Sequence, residues 1–379
     1  MTADDRRWEL DALRGLMLVL MTFTHLPTRL ADPLGQPFGF VSAAEGFVFL
    51  SAYMAGRVYS RRGLRHGGQE MTSAFRRRAL KLYLVQAALM VFLFSAIAAA
   101  GVIARQDAVL NMLGFYFEQP LKAFVAGLTL LYNPPLLDIL PMYIVLMILS
   151  PIVLLHGLRH GWTAILAASL AVWLAAQFDL GAGVRDIADA LTGSKIPVRH
   201  TGAFDLFGWQ FLWMAGLWLG SSHALRDPRV DARFPPAMVA AAWTWALVCL
   251  AWRHMVGQTP FPAAPELNVL FDKWRVGPLR LLDFVSLLLL VMHHGAWLAA
   301  HLPRWRVLET LGAAALPVFC AHLVATLTAL ALVGTPTPQR PWAVDAVVLI
   351  AAFALLWFVA RASAWVDQQA GALRTRISG

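Results

Sequence analysis

Long apolar segments recur from one end of this chain to the other, and they constrain its fold more than any other feature. A segment of about 20 apolar residues is long enough to cross a bilayer as a helix. Ten such segments cover residues 9–27, 38–58, 77–101, 136–156, 162–178, 204–221, 236–253, 279–298, 310–332 and 342–364. The pattern predicts an all-α, polytopic helical bundle of about ten transmembrane helices. Residues 1–379 are expected to form a single membrane-embedded domain.

The low share of charged residues supports this fold class. Hydrophobic residues make up 59% of the chain and charged residues 14%, whereas about a quarter of the residues of a typical soluble domain are charged. The net charge of +9 also occurs in nucleic-acid-binding proteins. Here, however, the basic residues lie at the ends of apolar segments, where the positive-inside rule places them. We therefore expect contact with the lipid bilayer and none with nucleic acid.

The distribution of Lys and Arg predicts which side of the membrane each end occupies. The run RRGLRHGGQEMTSAFRRRALK and the residues Arg226, Arg229 and Arg233 fall on one side of the predicted bundle. This asymmetry predicts cytoplasmic N- and C-termini in a bacterial inner membrane. Arg6 and Arg7 before an apolar run also fit a cleaved secretory signal. A histidine inside that run, and the spans that follow it, favour a retained first span.

The connections between the predicted spans are long in three places. The stretch AVLNMLGFYFEQPLKAFVAGLTLLY, between the third and fourth spans, has an amphipathic pattern typical of helices on the membrane surface. Residues 179–203 and 254–278 form the other two long connections. Cys249 and Cys320 both lie inside apolar runs, so neither a disulfide framework nor a metal cluster is predicted.

The first predicted span, ELDALRGLMLVLMTFTHLP, carries a basic residue near each end. Arg14 and His25 share one face of a helix because eleven residues, at about 100° each, complete about three turns. They would lie about 16 Å apart along the helix axis. Asp11 precedes Arg14 by one turn and can pair with it. Taken singly, Arg14 fits a residue whose side chain reaches the membrane surface, and His25 fits an interfacial residue at the helix end.

A carboxylate in the second span gives His25 a candidate partner. Glu45 lies at a predicted depth similar to that of His25, and burying a charged carboxylate in a membrane is costly unless it is paired. Beside a histidine, it would fix the imidazole tautomer and stabilise the imidazolium, as the acid does in hydrolase triads. We predict a catalytic His25–Glu45 pair. A structural hydrogen bond between neighbouring helices is the alternative.

Further polar residues fall at both ends of later spans. Those at the predicted outer ends are Asp138, Tyr143, Asp205, Gln210, Arg280 and Asp283. Singly, each fits an interfacial residue, but together they predict a polar cavity open to the periplasm, with the deeper His322 lining a path from it. At the predicted inner end of the third span, Arg78 and Lys81 are one turn apart. They fit ordinary positive-inside charges or a clamp for phosphate groups.

Several of these motifs resemble a known family. The spacing from Arg14 to His25 is similar to the R-x10-H motif of the acyltransferase 3 superfamily. The segments ELDALRG, AAEGFVFLSAYMAG, RRRALKLY and LPVFCAHL are similar to its other landmarks, in the same order. DILPMYIVLMILSP, WQFLWMAGLWLG and GPLRLLDF resemble the OpgC branch, which is linked to O-succinylation of osmoregulated periplasmic glucans. The chain departs from many members at LSAY, where they have LSGF, and at Lys81, where they have arginine.

The resemblance implies a role for each residue of these motifs. His25 would be the catalytic base, supported by Glu45 and Arg14. Residues implied in binding acyl-CoA are Arg14, Ser51, Arg77, Arg78, Lys81 and Tyr83. Residues implied in binding the glucan are Asp138, Tyr143, Trp209, Gln210, Arg280, Asp283 and His322.

The predicted reaction transfers an acyl group, succinyl by the resemblance, from cytosolic acyl-CoA to a hydroxyl of a periplasmic glucan, without a metal. The second carboxylate of succinyl needs a cation, and Arg280 is the candidate. Two alternatives stay open. One is O-acetylation of another envelope polysaccharide such as O-antigen. The other is a transporter or flippase of a glycan or lipid-linked sugar, since ionisable residues inside spans also mark transport paths. Against transport, the sequence has no evident inverted repeats.

Overall fold

The computed structural model describes residues 7–192, 201–225 and 234–378, and in these residues all regular secondary structure is helical. The α-helices, in chain order, are α1 (Trp8–His25), α2 (Ala31–Gly35), α3 (Ala43–His66), α4 (Gly68–Phe92), α5 (Ala98–Ile103), α6 (Asp107–Met112), α7 (Gly114–Glu118), α8 (Pro120–Leu128), α9 (Ile139–His160), α10 (Thr163–Ala176), α11 (Leu180–Thr192), α12 (Leu206–Leu225), α13 (Pro236–Val256), α14 (Pro278–His301), α15 (Arg306–Ala313), α16 (Ala315–Val333) and α17 (Trp342–Ser378). A π-helical turn, Leu93–Ile97, joins α4 to α5, and a 3₁₀ helix, Pro265–Phe271, precedes α14.

Every segment predicted as a span is helical, but fewer segments have the length and composition of a membrane crossing. Within the described residues, six helices meet both conditions: Gly68–Ile103, Ile139–His160, Pro236–Val256, Pro278–His301, Ala315–Val333 and Trp342–Ala370. The predicted span 310–332 is divided between α15 and α16. The chain is therefore a multi-pass helical membrane protein, while the count of ten spans stays a prediction.

The predicted sidedness of the termini also stays a prediction. Arg6, Arg226, Arg229 and Arg233, which support it, lie outside the described residues. Part of the predicted connection 179–203 lies outside them as well, and the portion before it forms α11.

The amphipathic stretch between the third and fourth predicted spans folds into the three short helices α6, α7 and α8. One side of it packs into the core, where Val109, Leu113 and Phe115 are buried, while the other side leaves Leu121 77% exposed and Val125 51% exposed. The hydroxyl of Tyr83 in α4 donates a hydrogen bond to the Leu128 carbonyl oxygen at 3.1 Å, which ties α8 to the bundle. This exposed apolar surface fits the predicted position at the membrane surface.

Close approach between helix backbones determines how the bundle packs. A Cβ atom at Gly220 of α12 would overlap the carbonyl oxygen of Tyr53 in α3, and one at Gly312 of α15 would overlap that of Asp11 in α1. Small residues allow such contacts between membrane helices. α1 also contacts α3 and α16. This packing places both ends of α1 against other helices, where Arg14 and His25 can face interior sites.

Candidate active site

A pair of histidines joins α1 to α16. His25 is the last residue of α1, and His322 is fully buried in α16. The His25 Nδ1 atom lies 3.1 Å from His322 Nε2, and the two rings are stacked with centroids 5.3 Å apart. The other ring nitrogen of His322, Nδ1, lies 2.6 Å from the carbonyl oxygen of Phe319.

These two contacts determine the tautomers of the neutral rings. A carbonyl oxygen can only accept, so His322 Nδ1 carries the hydrogen and donates it to Phe319. The neutral ring then has a lone pair on His322 Nε2, which accepts a hydrogen bond from His25 Nδ1. His25 is left with its lone pair on Nε2. The geometry therefore orients His25 with one nitrogen anchored and the other able to accept a proton.

The predicted His25–Glu45 pair does not form. One carboxylate oxygen of Glu45, Oε2, accepts hydrogen bonds from the Ser42 backbone N–H at 3.0 Å and from the Ser42 hydroxyl at 2.6 Å. The other, Oε1, pairs with the Nε atom of Arg280. Glu45 occupies the third position of α3, and its side chain folds back onto the N-cap residue in a capping box. Glu45 therefore pairs with the cation Arg280. The residue that contacts His25 is His322, in the place predicted for Glu45.

Arg280 is anchored on one side and has an unused donor on the other. The side chain is 2% exposed, and beyond its ion pair with Glu45 it makes one long contact, from Nη1 to the Phe271 carbonyl oxygen at 3.5 Å. Its Nη2 atom is buried without a hydrogen-bond partner among the described residues. A buried guanidinium nitrogen without an acceptor is energetically costly, so Arg280 has donor capacity that a bound anion or carbonyl group would satisfy.

Asp283 connects the start of α14 to the chain before α3. Its Oδ2 atom accepts a hydrogen bond from the Phe40 backbone N–H at 2.9 Å, and its side chain is fully buried. This contact supports the entry into α3, where Ser42 and Glu45 lie. The other oxygen of Asp283, Oδ1, is buried without a hydrogen-bond partner among the described residues, and the role of Asp283 as a glucan ligand stays a prediction.

A cavity opens beside Arg14, toward the other end of α1. Among its lining residues are Arg14, Ser51, Arg78, Tyr143 and Phe319, contributed by five helices. We call it the Arg14 cavity. Because Arg14 and His25 both face α16, the prediction that they share a helix face is confirmed. The predicted ion pair between Arg14 and Asp11 is also confirmed, at 3.7 Å.

The Arg14 cavity and the histidine pair share one side chain. The ring of Phe319 lines the cavity, and its centroid lies 4.9 Å from that of His322. The backbone carbonyl of the same residue holds His322 Nδ1. Tyr143, predicted to contact the glucan, lines this cavity together with the predicted donor-binding residues Ser51 and Arg78. Its position therefore groups Tyr143 with residues predicted to bind the donor.

The other predicted donor-binding residues lie outside the cavity lining. Lys81 is exposed on the surface of α4. Arg77 is also exposed and lies 3.7 Å from the carboxylate of Glu70. Tyr83 uses its hydroxyl on Leu128. Lys81 and Arg77 are thus positive charges on the surface of α4, the helix that carries Arg78 of the cavity. Tyr83 instead joins α4 to α8.

Three predicted glucan-binding residues make hydrogen bonds within the protein, and their role in binding the glucan stays a prediction. The Asp138 carboxylate accepts a hydrogen bond from the Ala203 backbone N–H at 3.0 Å. The indole N–H of Trp209 donates to the Trp274 carbonyl oxygen at 3.0 Å. The side-chain oxygen of Gln210 accepts from the Ser169 hydroxyl at 2.6 Å, and its amide nitrogen donates to the Ser169 carbonyl oxygen at 2.8 Å. Trp209 therefore holds α12 to the segment before α14, and Gln210 holds α12 to α10.

The sequence-based interpretation missed Lys273. It is half-buried in the segment between the 3₁₀ helix and α14, and it lies within electrostatic reach of His25, Glu45 and Arg280. A lone lysine in the segment LFDKWRVGP matches no motif. Its proximity to Glu45 of α3 depends on how this segment folds, which the sequence does not show. In the part of the chain that the structure describes, no group of three or more His, Cys, Asp or Glu residues could hold a metal ion.

Comparison with known proteins settles the family. The family model described as "OpgC protein" matches residues 6–368, which is nearly the whole chain. The chain belongs to the OpgC family. Membership indicates a glucan-modifying acyltransferase with membrane-embedded helices, in agreement with the apolar helices described above. Searches of curated proteins and of solved structures returned no match.

Proposed function

We propose that this OpgC-family protein is a transmembrane O-acyltransferase of the bacterial inner membrane. It would transfer succinyl from cytosolic succinyl-CoA to a hydroxyl group of an osmoregulated periplasmic glucan. The observation that carries the proposal is the hydrogen-bond chain from His25 through His322 to the Phe319 carbonyl. It leaves the Nε2 lone pair of His25 available, as a general base requires. The family assignment supplies the acyl-transfer chemistry.

In the proposed reaction, His25 Nε2 takes the proton of a glucan hydroxyl as its oxygen attacks the thioester carbonyl. The carbon–sulfur bond breaks, an ester bond forms, and the imidazolium returns its proton to the leaving sulfur. His322 holds the His25 ring through Nδ1 during both proton transfers. Direct transfer of this kind needs no acyl-enzyme intermediate.

The phosphate groups of the donor would bind at the Arg14 cavity. Its free volume of about 30 Å³ has room for only one or two water-sized groups, so most of the donor would lie outside it. Arginine binds phosphate groups well, and Arg14 and Arg78 both line this cavity. Arg77 and Lys81 would add attraction for the phosphates of CoA from the surface of α4. Arg14 and His25 lie about 16 Å apart along α1, so the flexible arm of acyl-CoA would extend past Phe319 toward the histidine pair.

Glucan-dependent turnover tests the proposal. Purified protein in detergent is given succinyl-CoA, with and without periplasmic glucan, and thiol release is followed. Mass spectrometry of the glucan then identifies the added group. The proposal predicts thiol release only with glucan and a succinyl mass increment. An acetyl increment from acetyl-CoA on another polysaccharide would favour the O-acetyltransferase alternative. Glucan binding without thiol release would favour the transporter.

A further inference from the structure

The segment of residues 272–277 is held rigidly between two helices. The Trp274 carbonyl oxygen accepts hydrogen bonds from the Asp205 backbone N–H at 2.9 Å and from the Trp209 indole at 3.0 Å. The Val276 carbonyl oxygen accepts one from the Trp173 indole at 2.9 Å. We call this segment the Lys273 loop. Its carbonyls are used by α10, by α12 and by the residue that precedes α12, so its position is fixed relative to the bundle.

The backbone of the Lys273 loop is also strained. Val276 has a φ of 56° and is fully buried. Positive φ is rare for a β-branched residue, and such residues persist where surrounding contacts over-determine them, commonly at functional sites. A Cβ atom at Gly208 of α12 would overlap the Arg275 carbonyl oxygen, so α12 leaves space for the loop backbone. The packing is built around this loop conformation.

The Lys273 loop places the Lys273 ammonium group within electrostatic reach of the histidine pair. Lys273 lies within electrostatic reach of His25, Glu45, Arg280 and Asp138. Within the described residues, its ammonium group makes no hydrogen bond or ion pair, and its one close contact is with the Trp274 ring at 4.9 Å. An ammonium has three donors, so its acceptors must come from solvent or from a ligand.

Of the nearby carboxylates, Glu45 and Asp138 are already engaged, whereas Asp283 keeps a buried Oδ1 atom without a hydrogen-bond partner among the described residues. Glu45 uses one oxygen for Arg280 and the other for Ser42. Asp138 accepts from the Ala203 backbone. Lys273 and Arg280 repel each other, and the Nη2 atom of Arg280 is buried without an acceptor. Lys273 lies within electrostatic reach of His25 and of Arg280, and both cations have unused donors. An additional anion would stabilise this arrangement.

We infer that Lys273 and Arg280 Nη2 together bind the terminal carboxylate of the acyl group, so that Lys273 determines specificity for a dicarboxylic acyl donor. This inference rests on the proposed function, because it names the part of the donor that lies near His25. Arg280 is fixed by Glu45, whereas Lys273 reaches the site from a different segment. The pair would hold the far end of the acyl chain while the thioester carbonyl meets the glucan hydroxyl.

Two donors that differ at one group test the inference. Succinyl-CoA and butyryl-CoA have the same number of acyl carbons, and only succinyl has the terminal carboxylate. The ratio of their kcat/KM values is measured for wild type, Lys273→Gln, Lys273→Arg and the exposed control Lys122→Gln. We expect Lys273→Gln to lower the ratio about tenfold or more, as loss of a hydrogen bond to a charged group does. Lys273→Arg should retain most of it, and Lys122→Gln all of it.

Each result has a distinct meaning. An unchanged ratio in Lys273→Gln would overturn the inference. Equal loss with both donors would also overturn it, since it would place Lys273 on the CoA moiety common to both or in a purely structural role. Melting temperatures in detergent identify a misfolded variant, and rescue by Lys273→Arg then decides whether charge is needed. Wild-type protein that turned over neither donor would contradict the proposed function itself, and the inference with it.

Discussion

The two ends of α1 use charge in opposite ways. Around the Arg14 cavity, the cations are partly or fully exposed. On α4, Arg77 lies 3.7 Å from Glu70, and Arg78 and Lys81 make no ion pair with any residue that the structure describes. Toward the other end, Lys273 lies within electrostatic reach of both His25 and Glu45, and the charged side chains of Glu45 and Arg280 are buried and paired with each other. Exposed cations can exchange a soluble, multiply charged ligand. Buried and internally anchored groups can instead hold reacting atoms in a fixed arrangement.

The largest expected effect is the loss of stability when the buried ion pair between Glu45 and Arg280 is broken. Glu45→Gln leaves Arg280 without its counter-charge, and removing one partner of a buried ion pair costs about 3–5 kcal/mol of stability. The exposed pair between Arg62 and Glu70, at 3.0 Å, provides the control, because an exposed pair contributes about 0–1 kcal/mol. Thermal unfolding in detergent should show a large drop for Glu45→Gln and little change for Glu70→Gln. Equal, small drops would contradict the difference between the two ends.

His322→Gln tests the chain of hydrogen bonds. Loss of the hydrogen bond that orients His25 costs about 0.5–1.5 kcal/mol, so we expect kcat to fall up to about tenfold with little change in the KM for the donor. The pH dependence of kcat/KM should shift as well, because the tautomer of His25 is no longer fixed. Exposed His301→Gln is the matched control. A fall in activity with an unshifted pH profile and a lower melting temperature would indicate a structural role only.

Arg78→Gln tests whether the Arg14 cavity binds the phosphate groups of the donor. Arg78 lines the Arg14 cavity, whereas its neighbour Arg76 is exposed on the same helix. Losing a charge-assisted bond to phosphate should raise the KM for succinyl-CoA about tenfold and leave kcat almost unchanged. Arg76→Gln should alter KM less. Equal effects of the two variants would mean that general positive charge, not the cavity, attracts the donor.

The smallest expected effect is a shift in pH dependence. Burial lowers the pKa of the Lys273 ammonium from its ordinary value of 10.5, and the nearby Arg280 guanidinium lowers it further, against the opposing effect of Glu45 and Asp138. The cation is therefore lost as pH rises, at a lower pH than for a free lysine. Preference for succinyl-CoA over butyryl-CoA should decline on the alkaline side, and Lys273→Arg should keep it. The same decline in both proteins would contradict this assignment.

Local patterns predicted the helices and the shared face of Arg14 and His25, because both follow from helical periodicity. The division of residues 310–332 into two helices, with the break at Ala314, was not predicted, since the apolar pattern continues across it. The pairing of His25 with His322 depends on α16 packing against α1, which no local pattern encodes. The capping box of α3 did have a local signal, Ser42 followed three residues later by Glu45. Read as a capping box, this pattern predicts that the Glu45 side chain contacts Ser42 rather than His25.

Glucan-dependent thiol release by His25→Gln tests the central claim most directly. The variant removes the Nε2 base, and general-base catalysis typically contributes about 10²–10⁴-fold to a rate. We expect a loss of this size in kcat, with an unchanged melting temperature and with full activity in His301→Gln. Wild-type activity in His25→Gln, at equal expression, would show that His25 is not the base.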